Sequence, residues 1–251
     1  MIDTHAHLLS LENRDEIISS MKKEGLDAIV CIGTTLKDSK ANIELANKHE
    51  NIYCTVGIYP EYADGATGAD LEELESLAKS EKVVAIGEIG LDYHSENYNK
   101  NTQKNIFIKQ LEIANRVGKP FCIHCRNAAE DVYEILSKYK HLINHSGLMH
   151  CYSEGEEWFK KFLDLGLYIS FTGNITYKKN NVDFIKDIPL DKLLVETDSP
   201  YLAPVPLRGT VNEPKNVSFV IEKIASITGE DFDKLNKITT ENAKRIYNIK
   251  N

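Results

Sequence analysis

Eight short apolar runs punctuate this chain, at residues 1–4, 26–33, 52–58, 83–89, 120–124, 147–150, 167–171 and 193–197. They are rich in β-branched and aliphatic side chains, end at turn residues, and are separated by stretches with helical periodicity. Most are apolar without interruption, as parallel strands buried on both faces require. Such alternation of strand and helix specifies an α/β protein built on a parallel sheet. Two architectures compete for it. An open doubly wound sheet would carry a glycine-rich turn after its first strand, whereas His5-Ala6-His7 stands there. The pattern therefore predicts a (β/α)8 TIM-type barrel, one domain spanning residues 1–251, a length at which such barrels commonly fold as a unit.

The intervening segments agree. Leu71, Leu74, Leu77 and Ala78 recur at helical spacing behind Asp70, which reads as an N-cap with Glu73 three residues on. Phe107, Leu111 and Ala114 share one face of another helix, which Gly118 and Pro120 stop. The proline-rich stretch 199–206 is too short to link domains and reads as an ordered loop after the eighth strand. Two terminal helices are expected near 216–227 and 232–247.

Charge and cysteine content narrow the function. Thirty basic and 38 acidic side chains give a net charge of −8, and no Lys/Arg run exceeds a pair. A protein that grips nucleic acid by counterion release usually has a basic face. If phosphate is the target here, bound cations must supply much of the positive potential. Five cysteines in a chain with 42% hydrophobic residues do not suggest a disulfide framework. Cys122 and Cys125 spell C-x-x-C, but on a strand residues three apart face opposite sides, so they read as separate buried thiols. No apolar run is long enough to span a membrane, and Met1-Ile2-Asp3-Thr4-His5 lacks the basic start and apolar centre of a secretory signal. A cytoplasmic protein without membrane contact or an obligate protein partner is expected.

Six donors sit at the C-terminal ends of the apolar runs: His5, His7, Glu88, His124, His150 and Asp198. His5 and His7 are two apart and project to the same side of an extended segment, where they can chelate one ion. Glu88 lies in Ile86-Gly87-Glu88-Ile89-Gly90, where an unpaired carboxylate would be costly and the glycines allow close approach of backbone or substrate. Taken singly, each donor has a plainer reading. A histidine at a strand end is often a core residue bonded to backbone, and Asp198 can cap a turn. Their common position changes the balance, because barrel active sites are built on that rim. His49, His94, His141 and His145 fall elsewhere and read as structural or exposed. Nitrogen and oxygen donors without thiolates suit zinc, manganese or magnesium.

The ordered set of motifs resembles the TatD family of metal-dependent hydrolases, within the amidohydrolase-like barrels. The resemblance runs through Asp3-Thr4-His5-Ala6-His7, Gly87-Glu88-Ile89-Gly90-Leu91-Asp92-Tyr93, Ile123-His124-Cys125-Arg126 and Met149-His150-Cys151-Tyr152-Ser153. It continues through Glu196-Thr197-Asp198-Ser199-Pro200-Tyr201-Leu202 and Arg208-Gly209 with Asn212-Glu213-Pro214. It implies a deoxyribonuclease with two divalent metal ions. His5, His7 and Asp198 would hold one ion, His124 and His150 the other, and Glu88 would bridge them. Such a pair activates a water and clamps phosphoryl oxygens, which makes Glu88 and Asp198 the catalytic carboxylates, Asp198 accepting the proton from water.

Three residues are candidates for substrate binding. Arg126 can meet a phosphate bidentately or form a surface salt bridge, and Arg208 is a residue of the same kind. Tyr59 arises from a departure from the family. Where the family typically reads G-x-H-P-H, this chain has Gly57-Ile58-Tyr59-Pro60-Glu61, so Tyr59 offers a hydroxyl and Glu61 would repel phosphate. The Ser-Gly expected after the strand-six motif is split as Ser153-Glu154-Gly155. The leading expectation is therefore a DNA phosphodiesterase acting on ends or single strands. A hydrolase of a small amide, lactone or phosphate ester is the rival, and a non-enzymatic metal-binding protein the third reading.

Overall fold

In a computed structural model, residues 1–94 and 98–250 are described. All eight apolar runs form strands: β1 (Ile2–Ala6), β2 (Ala28–Cys31), β3 (Ile52–Val56), β4 (Val83–Asp92), β5 (Phe121–Arg126), β6 (Gly147–Met149), β7 (Tyr168–Phe171) and β8 (Leu193–Val195). The sheet order is β1 to β8 in sequence. Helices α1 (Arg14–Ser20), α2 (Leu36–Lys48), α3 (Gly68–Leu77), α4 (Lys100–Val117), α5 (Ala129–Lys138) and α6 (Glu156–Asp164) alternate with the strands, and α7 (Val217–Thr228) and α8 (Phe232–Tyr247) close the chain. This order and alternation are those of a (β/α)8 barrel.

Three details depart from the sequence reading. Thr67, not Asp70, caps α3. Its side chain accepts from the Asp70 N–H while the Asp70 carboxylate accepts from Thr67, a reciprocal box that puts Asp70 at the third helical position. Between β7 and β8 the described residues contain only short 3-10 turns, Gly173–Thr176, Asp183–Asp187 and Leu190–Lys192, in place of an intervening α-helix. Gly173, Asn180, Asn181 and Pro189 make that stretch a poor helix former. Finally, β4 and β5 run on past Glu88 and His124, to Asp92 and Arg126. The α4 stop is as expected, with Gly118 left-handed at φ 68°. Cys122 and Cys125 are separate buried thiols.

The chain divides into two compact units, Met1–Cys31 with Ile169–Asn251, and Ile32–Tyr168. In the first, Ile2, Ile29, Phe171, Leu193, Leu194, Ile221 and Leu235 are buried, and side chains tie α8 to β1, β8 and the turn before β8. Asn242 Nδ2 donates to the carbonyls of Leu190 (2.7 Å) and Leu193 (2.8 Å), and the Tyr247 hydroxyl donates to Thr4 O (3.2 Å). In the second unit, all ten residues of β4 are buried. Parallel pairing sets Gly90 opposite His124 and Asp92 opposite Arg126 on β5. Gly90 makes this pairing possible. Its φ is 137°, and a Cβ there would collide with the His124 carbonyl. Gly87 is equally constrained, since a Cβ would come within 2.6 Å of Cys122 Cβ. These two glycines flanking Glu88 thus admit the neighbouring strand.

Candidate metal centre

In the first unit the end of β1 is zipped to the segment that follows β8. The Asp198 N–H donates to His5 O (2.9 Å) and the His7 N–H to Ser199 O (2.8 Å). These bonds bring one carboxylate oxygen to two imidazoles. Asp198 Oδ1 lies 3.5 Å from His5 Nε2 and 3.2 Å from His7 Nε2. Asp198 adopts φ 55°, a left-handed conformation that aspartate tolerates better than most residues. Asn212 braces this loop, its Nδ2 donating to Thr197 O (2.9 Å) and Tyr201 O (2.8 Å). Beneath it, the buried Asp3 carboxylate accepts from Thr197 N (2.9 Å), Thr197 Oγ1 (2.5 Å) and His5 N (3.3 Å). Burial pushes the Asp3 carboxyl up to about 8, against the lowering effect of those bonds.

In the second unit three adjacent strands supply the donors. Glu88 is inside β4 and 3% exposed, His124 is inside β5, and His150 follows β6 at 6% exposure. Glu88 Oε1 is 2.9 Å from His124 Nδ1 and 3.0 Å from His150 Nε2, and the two nitrogens are 3.4 Å apart. Three donor atoms at these separations suit ligands about 2.0–2.2 Å from a shared cation. The residues therefore fit a divalent metal of the kind that nitrogen and oxygen donors select. The far side of His124 is also engaged: its Nε2 is 2.9 Å from Asp92 Oδ2. Burial would lower the His124 pKa, but the bonds to Asp92 and Glu88 prevail and raise it. Conversely, burial would raise the Asp92 carboxyl, yet bonding to His124 and to the His94 N–H holds it at about 2.

The candidate substrate residues lie in different settings. Tyr59 directs its hydroxyl to Asp92 Oδ2 (3.0 Å), with His124 Nε2 3.2 Å away. Arg126 ends β5, two residues beyond His124 and so on the same face; it is exposed and, among the described residues, has no ion pair. Arg208 is exposed and lies over the Tyr177 ring, its guanidinium carbon 4.5 Å from the centroid. His94, His141 and His145 are exposed and His49 half-buried.

Asp92 is bonded to His124 and Tyr59, and reading by motif leaves it without a role. The signal was an aspartate directly after an apolar strand, but its partners become visible only once β4 and β5 are in register. Gln103 is a second such residue. From α4 it accepts from the Asp92 N–H (2.9 Å) and donates to the Asp92 carbonyl (3.0 Å). Seven residues on, Gln110 clamps Ile58 in the same way (2.7 and 3.0 Å).

The sequence model of the family described as TatD related DNase matches residues 2–248. The chain belongs to the TatD family of metal-dependent hydrolases. It is 39% identical over 254 residues to the uncharacterized metal-dependent hydrolase YabD of Bacillus subtilis, covering 99% of each chain. It is 36% identical over 259 residues to YcfH of Escherichia coli K12, named likewise, covering 99% of this chain and 96% of YcfH. Among solved structures, the TatD homolog YjjV of Escherichia coli K12 superposes with a TM-score of 0.94 at 25% identity, over 100% of this chain and 98% of YjjV. Among the described residues no helix is long and apolar enough to cross a membrane.

Proposed function

We propose that this TatD-family hydrolase cleaves DNA phosphodiester bonds, at ends or in single strands, in the cytoplasm and without an obligate protein partner. Each compact unit supplies one cation-binding set, His5, His7 and Asp198 in the first and Glu88, His124 and His150 in the second. Residues 1–251 work as one catalytic domain, since neither unit carries both sets. The observation that carries this reading is the meeting of Glu88 Oε1 with His124 Nδ1 and His150 Nε2, two groups within β4 and β5 and one directly after β6. Three titratable groups so enclosed must be paired with one another or serve a cation, and nitrogen and oxygen donors at this spacing suit a cation. When bound, two divalent cations, magnesium, manganese or zinc, supply an activated water and positive charge for phosphoryl oxygens. Asp198, partly exposed beside His7, would serve as the base that accepts a proton on its carboxylate. Arg126, exposed and without an ion pair among the described residues, two positions past His124, receives a phosphate bidentately. The family's description as TatD related DNase supports the choice of DNA.

The test is release of nucleotides from end-labelled single-stranded and duplex DNA by purified protein with Mg²⁺, Mn²⁺ or Zn²⁺, with Glu88→Ala as control. Metal-dependent release by the wild type and none by the variant is the expected result. No release, or equal release by both, would sink the proposal.

One observation favours a small ester, lactone or amide as the alternative substrate. The Tyr59 hydroxyl is donated to Asp92, so the position where the family has histidine offers no free donor for phosphate. A higher kcat/KM on small esters or amides than on DNA would transfer the assignment to that class.

A further inference from the structure

We propose that Asp92 and Tyr59 are positioning residues that fix the ring of His124, turning its Nδ1 toward Glu88 and His150, and that Tyr59 does not bind substrate. The proposal rests on the reading of His124 as a cation ligand. Asp92 is held from several directions. Its backbone N–H and carbonyl are clamped by Gln103, its Oδ1 accepts from the His94 N–H (2.8 Å), and its Oδ2 faces both His124 Nε2 and Tyr59 OH. A carboxylate so fixed can only accept. It therefore requires the proton of His124 on Nε2, which leaves the Nδ1 lone pair for a cation.

Tyr59 completes the arrangement. Its hydroxyl has one proton to donate, and the ionised Asp92 oxygen at 3.0 Å accepts that hydrogen bond. The ring packs edge-on against His124, with centroids 4.8 Å apart and planes at 65°, which blocks rotation of the imidazole. A histidine here, as in the family pattern, has no hydroxyl to donate and presents a different edge to Asp92. The exchange to tyrosine thus converts a position read as substrate-facing into support for a ligand.

Three variants test this: Asp92→Asn, Tyr59→Phe and His124→Ala. Titration calorimetry with Mn²⁺ or Zn²⁺ should resolve two binding events in the wild type. Asp92→Asn is expected to weaken one about 10- to 100-fold, the range for outer partners of metal-bound histidine, and to leave the other within about two-fold. Tyr59→Phe should weaken the same event by about three-fold, with KM for substrate unchanged and little added effect in the Asp92→Asn background. Neither substitution should matter further in His124→Ala. Nitrogen-15 NMR of the metal-free protein reads the same point without any cation: His124 Nε2 should be protonated in the wild type and lose that preference in Asp92→Asn. Equal weakening of both events, an unchanged NMR signature, or a raised KM in Tyr59→Phe with cation affinity intact would overturn the proposal. Wild-type protein that binds no cation would instead remove the metal-centre reading, and the NMR comparison would still decide whether Asp92 positions His124.

Discussion

The His5–His7–Asp198 set and the Glu88–His124–His150 set offer similar donors held by different means. In the first, Asp198 belongs to a loop with a left-handed backbone, and its place depends on two main-chain bonds to β1 and the brace from Asn212. In the second, Glu88 and His124 stand on the paired strands β4 and β5, and His150, directly after β6, is held by its N–H on Ile123 O (3.0 Å). A loop-borne carboxylate near solvent can shift to exchange protons; strand-borne donors keep their positions. The contrast matches the division of labour proposed above, with Asp198 handling the proton and the second set acting as a fixed cradle.

The largest expected effect comes from removing a carboxylate from either set. Glu88→Gln and Asp198→Asn should each lower metal-dependent hydrolysis on the order of 10³-fold. Asparagine tolerates the φ of 55° at position 198, so folding there should persist. The two should differ in cation content. Each variant, analysed by elemental mass spectrometry after dialysis, is expected to lose the cation of its own set and keep the other. Loss of both cations in both variants would mean that the sets are not separable, and the comparison would fail.

A smaller effect is expected from disturbing register. Gly90→Ala must place a Cβ against the His124 carbonyl at a φ of 137° that side chains rarely adopt. The cost should be about 3 kcal/mol in urea unfolding, accompanied by weaker cation binding at the second set. A loss below about 1 kcal/mol would show that pairing of β4 with β5 is not what positions His124.

How far the sequence was legible follows the same contrast. The eight strands were legible because buried parallel strands need unbroken apolar runs, and the six donors because each interrupts or ends such a run. Asp92 and Arg126 were not read as strand residues, since a charged side chain looks like a boundary; only pairing with a neighbouring strand keeps them extended. Gln103 and Gln110 were hidden for a related reason. On a helix they resemble solvent-facing residues, and their buried bonds to Asp92 and Ile58 are tertiary facts. The stretch between β7 and β8 was misjudged as helical because the barrel pattern was extended over residues whose own propensities are weak. Tyr59 was legible as a departure, but the partner of its hydroxyl was not.

The smallest expected effects concern the two arginines, one in each unit. Arg126 is unengaged among the described residues and shares a face with His124, so Arg126→Ala should raise KM for DNA about ten-fold with kcat nearly unchanged. Arg126→Lys keeps the charge but not the forked geometry and should recover only part of that loss. Arg208 is already engaged by the Tyr177 ring. Leaving it to meet a phosphate would give up a contact of about 0.5–1 kcal/mol at an exposed site, so Arg208→Ala should change KM by no more than about two-fold. Steady-state kinetics on one oligonucleotide separates these outcomes. A larger effect at Arg208 than at Arg126 would reverse the assignment, placing phosphate recognition with the loop after β8 rather than with the end of β5.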